Sequence, residues 1–229
     1  MILYLDTSSN YLHCALLNKN KLIDKISENF GKDLSKYALS RIDGLLKKNN
    51  CTIDDIEKII VVNGPGSFTG VRIGLTIAKT IAWAKKIDII EITSLLAMSL
   101  SIQDKSVKYV VPVIDARRGF VYSGIYDNVN KNYVLKEQYL NLNTLHAILD
   151  TLEQSSIEKK SIIFVTNDNI KTSYKILNYI PDFENIVLNT SNNKPTNPHL
   201  VDANYLKLTE AEEKKNDCWN WQKQFRINW

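Results

Sequence analysis

The stretch with the greatest capacity for chemistry is Asn63-Gly64-Pro65-Gly66-Ser67-Phe68-Thr69-Gly70. It follows the apolar run Ile59-Ile60-Val61-Val62 and precedes a helical pattern from Val71 to Ala84. A buried strand thus enters a glycine-rich turn and leaves it as a helix, whose first N–H groups lack partners and whose glycines allow close backbone approach. Such a turn could cradle a phosphate. The plainer reading is that Gly64, Gly66 and Gly70 keep the turn tight and let the helix pack close to the sheet, and spacing alone favours it. No Gly-Lys-Ser/Thr follows, so the run is not a P-loop. Its spacing is not that of the dinucleotide fingerprint either. His13, His146 and His199 stand apart, whereas two imidazoles sharing a metal from one helix face need a spacing of three or four. Each is expected at the surface or half-buried.

The elements that must carry this turn repeat along the chain. Ile2-Leu3-Tyr4-Leu5-Asp6 is an apolar strand closed by an aspartate, followed by strands at Leu12 to Leu17 and Lys21 to Ile26. Val110 to Asp115 repeats that form, followed by strands at Phe120 to Tyr126 and Tyr133 to Leu140. In each half a helix, a strand and a helix come next: Leu34 to Lys48, Ile59 to Val62 and Gly70 to Ala84 in the first, then Leu142 to Leu152, Ile162 to Val165 and Ile170 to Tyr179. Glu91 to Lys105 closes the first half and links it to the second. This order predicts an α/β protein of two similar lobes, each a β-β-β-α-β-α unit. The expected division is an N-terminal lobe over residues 1–105, a C-terminal lobe over 106–209 and a tail over 210–229.

Bulk composition limits the function classes. The 229 residues suffice for one large or two small domains, and 44% hydrophobic with 24% charged content is that of a folded protein. The net charge of +4 is spread thinly and balanced locally by acids such as Asp54, Asp55 and Glu57, which argues against a free-standing nucleic-acid groove. Cys14, Cys51 and Cys218 are odd in number and widely separated, the pattern of neither a disulfide framework nor a zinc knuckle. The N-terminal apolar run is too short for a signal sequence, and nothing approaches a membrane span, so a cytoplasmic protein without membrane contact is expected.

A duplicated unit with an aspartate ending each first strand resembles the fold of actin, the sugar kinases and the Hsp70 ATPase domain. In that fold the resemblance implies that Asp6 and Asp115 face one another across a cleft, where active members hold metal and phosphate. Those members have Asp-x-Gly turns, but this chain has Asp6-Thr7-Ser8 and Asp115-Ala116-Arg117. A β-carbon at Ser8 or Arg117 would crowd a phosphate. Asp6, Asp115 and Arg117 are therefore read as a vestigial cleft, and an ion pair of Arg117 with Asp115 or Asp6 is expected ahead of a reading in which Arg117 and Arg118 meet an acidic partner surface or a phosphate of tRNA. An active ATPase or phosphotransferase using the two aspartates is the alternative.

Asp6-Thr7-Ser8, the run Gly64 to Gly74 and Val113 to Arg118, in this order, resemble the TsaB (YeaZ) family. Ala203-Asn204-Tyr205-Leu206-Lys207 through Glu212 resembles that family's closing pattern, with Lys207 where arginine is usual. The resemblance implies the dimerization subunit of the bacterial tRNA threonylcarbamoyladenosine-modifying complex. Such a subunit has no catalytic residue and no bound cofactor or metal of its own. It supports TsaD, a catalytic paralogue, in moving a threonylcarbamoyl group onto adenosine 37 of tRNA. It also implies a TsaE-like ATPase partner, a homodimer when TsaD is absent, and tRNA contacted mainly through the complex. ATP, threonylcarbamoyl-adenylate and a metal in the partner subunit belong to the complex, an N6-threonylcarbamoyladenine synthase.

With no catalytic constellation, function should lie on a surface. From Val71 to Ala84 the apolar positions fill an arc of about 200° at about 100° per residue, more than a helix packed on one sheet needs. The Val71-Leu75-Ala82 and Ile73-Ile77-Ala84 edges can then serve different neighbours. Gly74 and Ala78 leave room for another helix. The family resemblance makes this helix and that from Leu34 to Lys48 the partner-binding pair, with Tyr37, Arg41, Leu45, Ile73, Gly74, Ile77, Ala78 and Ile81 as interface residues. Trp219, Trp221 and Trp229 crowd the C-terminus, where they would dock onto this chain or a partner.

Overall fold

A computed structural model describes residues 1–154 and 161–207. The tail assigned to 210–229, with its three tryptophans, lies outside the described residues. Two five-stranded sheets carry the chain. In the first, β1 (Ile2–Asp6), β2 (Tyr11–Asn18) and β3 (Lys21–Asn29) form an antiparallel meander, and β4 (Lys58–Val62) and β5 (Asp88–Ile92) add parallel strands beyond β1. Helix α1 (Leu34–Lys48) leads into β4, α2 (Phe68–Lys85) crosses from β4 to β5, and α3 (Ser94–Leu100) follows. The second sheet repeats the order with β6 (Tyr109–Asp115), β7 (Phe120–Asp127), β8 (Asn132–Asn141) and β9 (Ile162–Val165), α4 (Leu142–Gln154) preceding β9. β10 (Lys175–Leu177) and α5 (Phe183–Thr190) complete it. The two sheets thus repeat one α/β unit, the duplicated architecture that the sequence predicts.

The repeat fails at one place. The helix expected over Ile170 to Tyr179 does not form; the segment is a loop ending in β10, which pairs parallel with β9. Ile170 is buried beneath the sheet, and Tyr174 stacks on Phe164 at 5.4 Å, so the two fill the outer core from a loop. Thr166 and Asn167 hold the crossover shut: the Thr166 N–H donates to the Leu177 carbonyl, and the Asn167 side chain accepts from the Tyr179 N–H at 2.9 Å.

Three cores follow from the strand alternation. Leu3, Leu5, Ile59 and Val61 face α1 and α2. Val111, Val113 and Phe164 face α4. Ile2, Tyr4, Ile60 and Val62 point the other way and meet Val110, Ile163 and Val165 of the second sheet around α3 and α5. That shared middle core fixes one lobe against the other. After α5 the chain runs back along α2: Thr196 bridges Ile89, Lys79 donates to the Val201 carbonyl at 2.8 Å, and Asn204 N–H donates to the Asn63 carbonyl at 2.7 Å.

Candidate functional site

The last residues of β1 and β6 open into a cleft of about 600 Å³ between the lobes, lined among others by Asp6, Asp115, Arg117, Ser67 and Phe68. Each aspartate closes its own turn. Asp6 Oδ1 accepts the Ser8 N–H at 2.8 Å, and Asp115 Oδ1 accepts the Arg117 N–H at 2.8 Å. Asp168, which the sequence did not single out, accepts the Asp115 N–H at 2.7 Å. The expected ion pair is absent: Arg117 is tied to Asp115 through its backbone, and its guanidinium makes no ion pair among the described residues. Arg117 and Arg118 take φ of 68° and 56°, the left-handed conformation that an Asp-x-Gly turn would give to glycine. The turn is kept while its least strained residue is not.

Below the cleft, His13 pairs across the strands with Asp6 and is 4% exposed, not the surface or half-buried residue its isolation suggested. Its Nδ1 lies 3.1 Å from Ser27 Oγ, and its ring stacks on Tyr11 at 5.3 Å. Burial lowers its pKa, with Asp6 pulling the other way. Burial, then Tyr179, pushes the Tyr4 phenol well above its ordinary range. His146 contacts Thr172 at 3.1 Å and His199 is exposed. Among the described residues no three His, Cys, Asp or Glu side chains group to hold a metal ion.

The glycine run packs against the first aspartate turn. A Cβ on Gly66 would stand 2.2 Å from the Ser8 carbonyl oxygen, and one on Gly70 2.2 Å from that of Thr7. The Ser67 N–H donates to the Ser8 carbonyl at 2.7 Å, and Ser67 Oγ accepts the Gly70 N–H at 3.2 Å as the α2 cap. Gly64 has φ 103° and its carbonyl accepts from Ser94. The chain's own carbonyl therefore occupies an N–H that a phosphate would need.

Helix α2 has three sides. Val71, Leu75, Ala78 and Ala82 are buried against the sheet, and Lys79 and Arg72 meet the returning C-terminal segment. Ile73, Ile77 and Ile81 are half-buried beside the first core. Gly74 and Ala78 do not open room for another helix, because both face inward: a Cβ on Gly74 would lie 2.3 Å from Thr7 Oγ1, and Ala78 is fully buried. On α1, Leu45 is likewise in the core. Tyr37 packs on Phe30 at 5.5 Å, and Arg41 pairs with Glu28 at 3.0 Å. The outward set is thus Tyr37, Arg41, Ile73, Ile77 and Ile81, with Leu39 61% exposed on α1.

This geometry has counterparts. The TsaB protein of Bacillus subtilis, named for tRNA threonylcarbamoyladenosine biosynthesis, is 30% identical over 226 residues, covering 93% of this chain and 96% of its own. The chain belongs to the TsaB family. A TsaB of Buchnera aphidicola (from Schizaphis graminum) is 30% identical over 165 residues, covering 71% of this chain and 77% of its own. The family model described as TsaD, tRNA N6-adenosine threonylcarbamoyltransferase, matches residues 26–190. The solved structure of YeaZ from Pseudomonas aeruginosa superposes with a TM-score of 0.70 at 19% identity, covering 90% of this chain and 99% of that one, which supports the TsaB fold. No helix among the described residues is long and apolar enough to cross a membrane.

Proposed function

We propose that this chain acts in tRNA threonylcarbamoyladenosine biosynthesis as a non-catalytic subunit that pairs with a TsaD-type catalytic paralogue. The observation that carries the reading is the half-buried apolar stripe Ile73-Ile77-Ile81 on a helix whose sheet side is already packed by Val71, Leu75, Ala78 and Ala82 and whose Lys79 edge meets the returning C-terminal segment. A half-buried apolar stripe gains from a second subunit, each large side chain contributing about 1.5 to 3 kcal/mol before association costs. Tyr37 and Arg41 border it from α1. The same surface forms a homodimer when the paralogue is absent. ATP, the threonylcarbamoyl-adenylate and the metal are assigned to the partners, including a TsaE-like ATPase, and tRNA is reached mainly through the assembly. Against an ATPase or phosphotransferase stand the Ser8 carbonyl on the Ser67 N–H and the crowded turns at Ser8 and Arg117. Reconstitution with TsaD- and TsaE-type proteins tests the reading: tRNA modification should require this chain, and full activity of the other two alone would overturn it.

A further inference from the structure

Aromatic rings and cations follow one another from Phe68 at the rim of the cleft to Tyr205 and Lys207, which line a small neighbouring pocket with it, and on to Tyr139 and Phe120 of the second sheet. Phe68, at the first turn of α2, is 58% exposed, and the Arg72 guanidinium lies 3.8 Å from its ring centre. Arg72 Nε donates to the Tyr205 hydroxyl at 3.0 Å, and Tyr205, itself 49% exposed, stacks beside Phe68 at 5.8 Å. Lys207 follows with its ammonium 5.3 Å from the Tyr139 ring centre. Tyr139 stacks on Phe120 at 4.9 Å, which begins the strand after the turn bearing Arg117. Asp6, Asp115 and Asp168 line the cleft below, each with one carboxylate oxygen accepting a backbone N–H, so anion contacts fall to the cations at the rim. The side chain of Arg117 has no such internal partner among the described residues.

Large rings are expensive to leave in water, and exposed arginine is expensive to immobilise. Here both are done at one place, away from the sheet side of α2 that Val71, Leu75, Ala78 and Ala82 pack, and the rings stay half exposed although Arg72 and Tyr205 also fasten the returning C-terminal segment. Flat π-faces alternating with cations match one class of ligand well, an unpaired nucleic-acid strand whose bases stack on rings while its phosphates meet arginine and lysine. A protein partner would cover the same rings in a dry apolar contact, whereas ring and cation in alternation suit bases and phosphates taken in succession along one strand.

We propose that the band formed by Phe68, Arg72, Tyr205, Lys207, Tyr139 and Arg117 is a contact for an unpaired loop of RNA. This rests on the reading that the chain works on tRNA, and gives the chain its own share of RNA binding within the assembly. Base stacking on one ring carries roughly tenfold in affinity, and each phosphate contact adds to the salt dependence.

The test measures anisotropy of a fluorescein-labelled tRNA transcript with the full chain alone and mixed with its TsaD-type partner, across a salt series. F68A and Y205A should each weaken binding roughly tenfold, while Y205F, which keeps the ring and loses only the hydroxyl, should stay within about twofold. R117G removes a cation at a positive-φ position without strain and should flatten the salt slope. Thermal melts and gel filtration run alongside. Unchanged affinity in folded variants overturns the proposal, as does loss of pairing with the partner, which would make the band a protein contact. If the wild-type chain never pairs with the partner, the proposed function falls. RNA binding by the chain alone still decides this proposal: loss in F68A and Y205A upholds it, and no binding by the wild type overturns it.

Discussion

The hydroxyl of Thr7 stands where a side chain at Gly74 would begin. A Cβ there would lie 2.3 Å from Thr7 Oγ1, and that hydroxyl is held in place by donating to the Gly70 carbonyl at 2.7 Å. One threonine at the end of β1 thus binds one turn of α2 and meets the next. This is how the first aspartate turn and the glycine run act as one unit, and why α2 lies so close to its sheet.

That contact predicts the stability of G74A. The added methyl cannot be accommodated by a flexible chain end, because Thr7 is fully buried and hydrogen-bonded. Overpacking of this kind costs about 1 to 3 kcal/mol, and the urea midpoint should fall by that cost divided by the unfolding m-value. In the T7A background the obstructing hydroxyl is gone, so the same glycine substitution should cost markedly less. Additive costs in the double-mutant cycle would show that the two residues do not share the strain.

Glu137 on β8 predicts a pH dependence. Its carboxylate accepts from Tyr133 at 2.7 Å and from Thr93, the residue capping α3 in the other lobe. Burial raises its pKa, with the two hydrogen bonds opposing. A carboxyl whose folded pKa exceeds its unfolded one adds stability that is fully present below the unfolded value and lost as pH rises through the folded value. E137Q should therefore unfold at higher urea than the parent at neutral pH, the difference closing as pH falls to about 4. Equal midpoints for parent and variant across that range would remove Glu137 from the interlobe balance.

The strand order was legible because apolar runs ending in aspartate are a strong local signal, and the two halves copy each other at Asp6 and Asp115. Three features escaped, two of them for one reason. Ile170 and Tyr174 are four apart, which imitates one face of a helix, yet both dip into the core from a loop pinned by Asn167. Gly74 and Ala78 are one turn apart, which imitates a helix-packing notch, yet the notch is filled by Thr7 from the same chain. In both cases the periodicity was real and the neighbour was misjudged, since spacing names a face but not what covers it. The cleft's ring and cation band was missed for the opposite reason. Phe68 and Arg72 had the i, i+4 spacing of a stacked pair, but Tyr205 and Tyr139 join them only through the fold.

Arg117 offers a stability gain. At φ 68° it sits where an L side chain costs roughly 1 to 2 kcal/mol, and glycine gives back roughly 0.5 to 1 kcal/mol of that through its freer unfolded state. R117G should thus raise stability by about 1 kcal/mol or less, read as a small rise in Tm. The Asp115 carboxylate bonds to the backbone N–H at this position, so the substitution keeps it. A lowered Tm would mean that the guanidinium holds the turn after all.

Ile77 tests the pairing surface most directly. It lies on the outward side of α2 between Ile73 and Ile81, half-buried, while the inward positions Leu75 and Ala78 anchor the helix. A carboxylate at Ile77 can therefore reach water in the isolated chain, and the fold should survive with a Tm within a few degrees of the parent. In a packed interface the same carboxylate would be stripped of water without a partner, a cost of several kcal/mol that exceeds what one isoleucine contributes. I77E mixed with the TsaD-type paralogue should elute on gel filtration as separate species, where the parent elutes as a complex. Co-elution of I77E with the paralogue would move the contact off this side of α2. Loss of pairing together with a collapsed melt would instead make Ile77 a core residue, and A84E, on the same side of α2 close to its C-terminal end and exposed, then decides whether this side carries the partner.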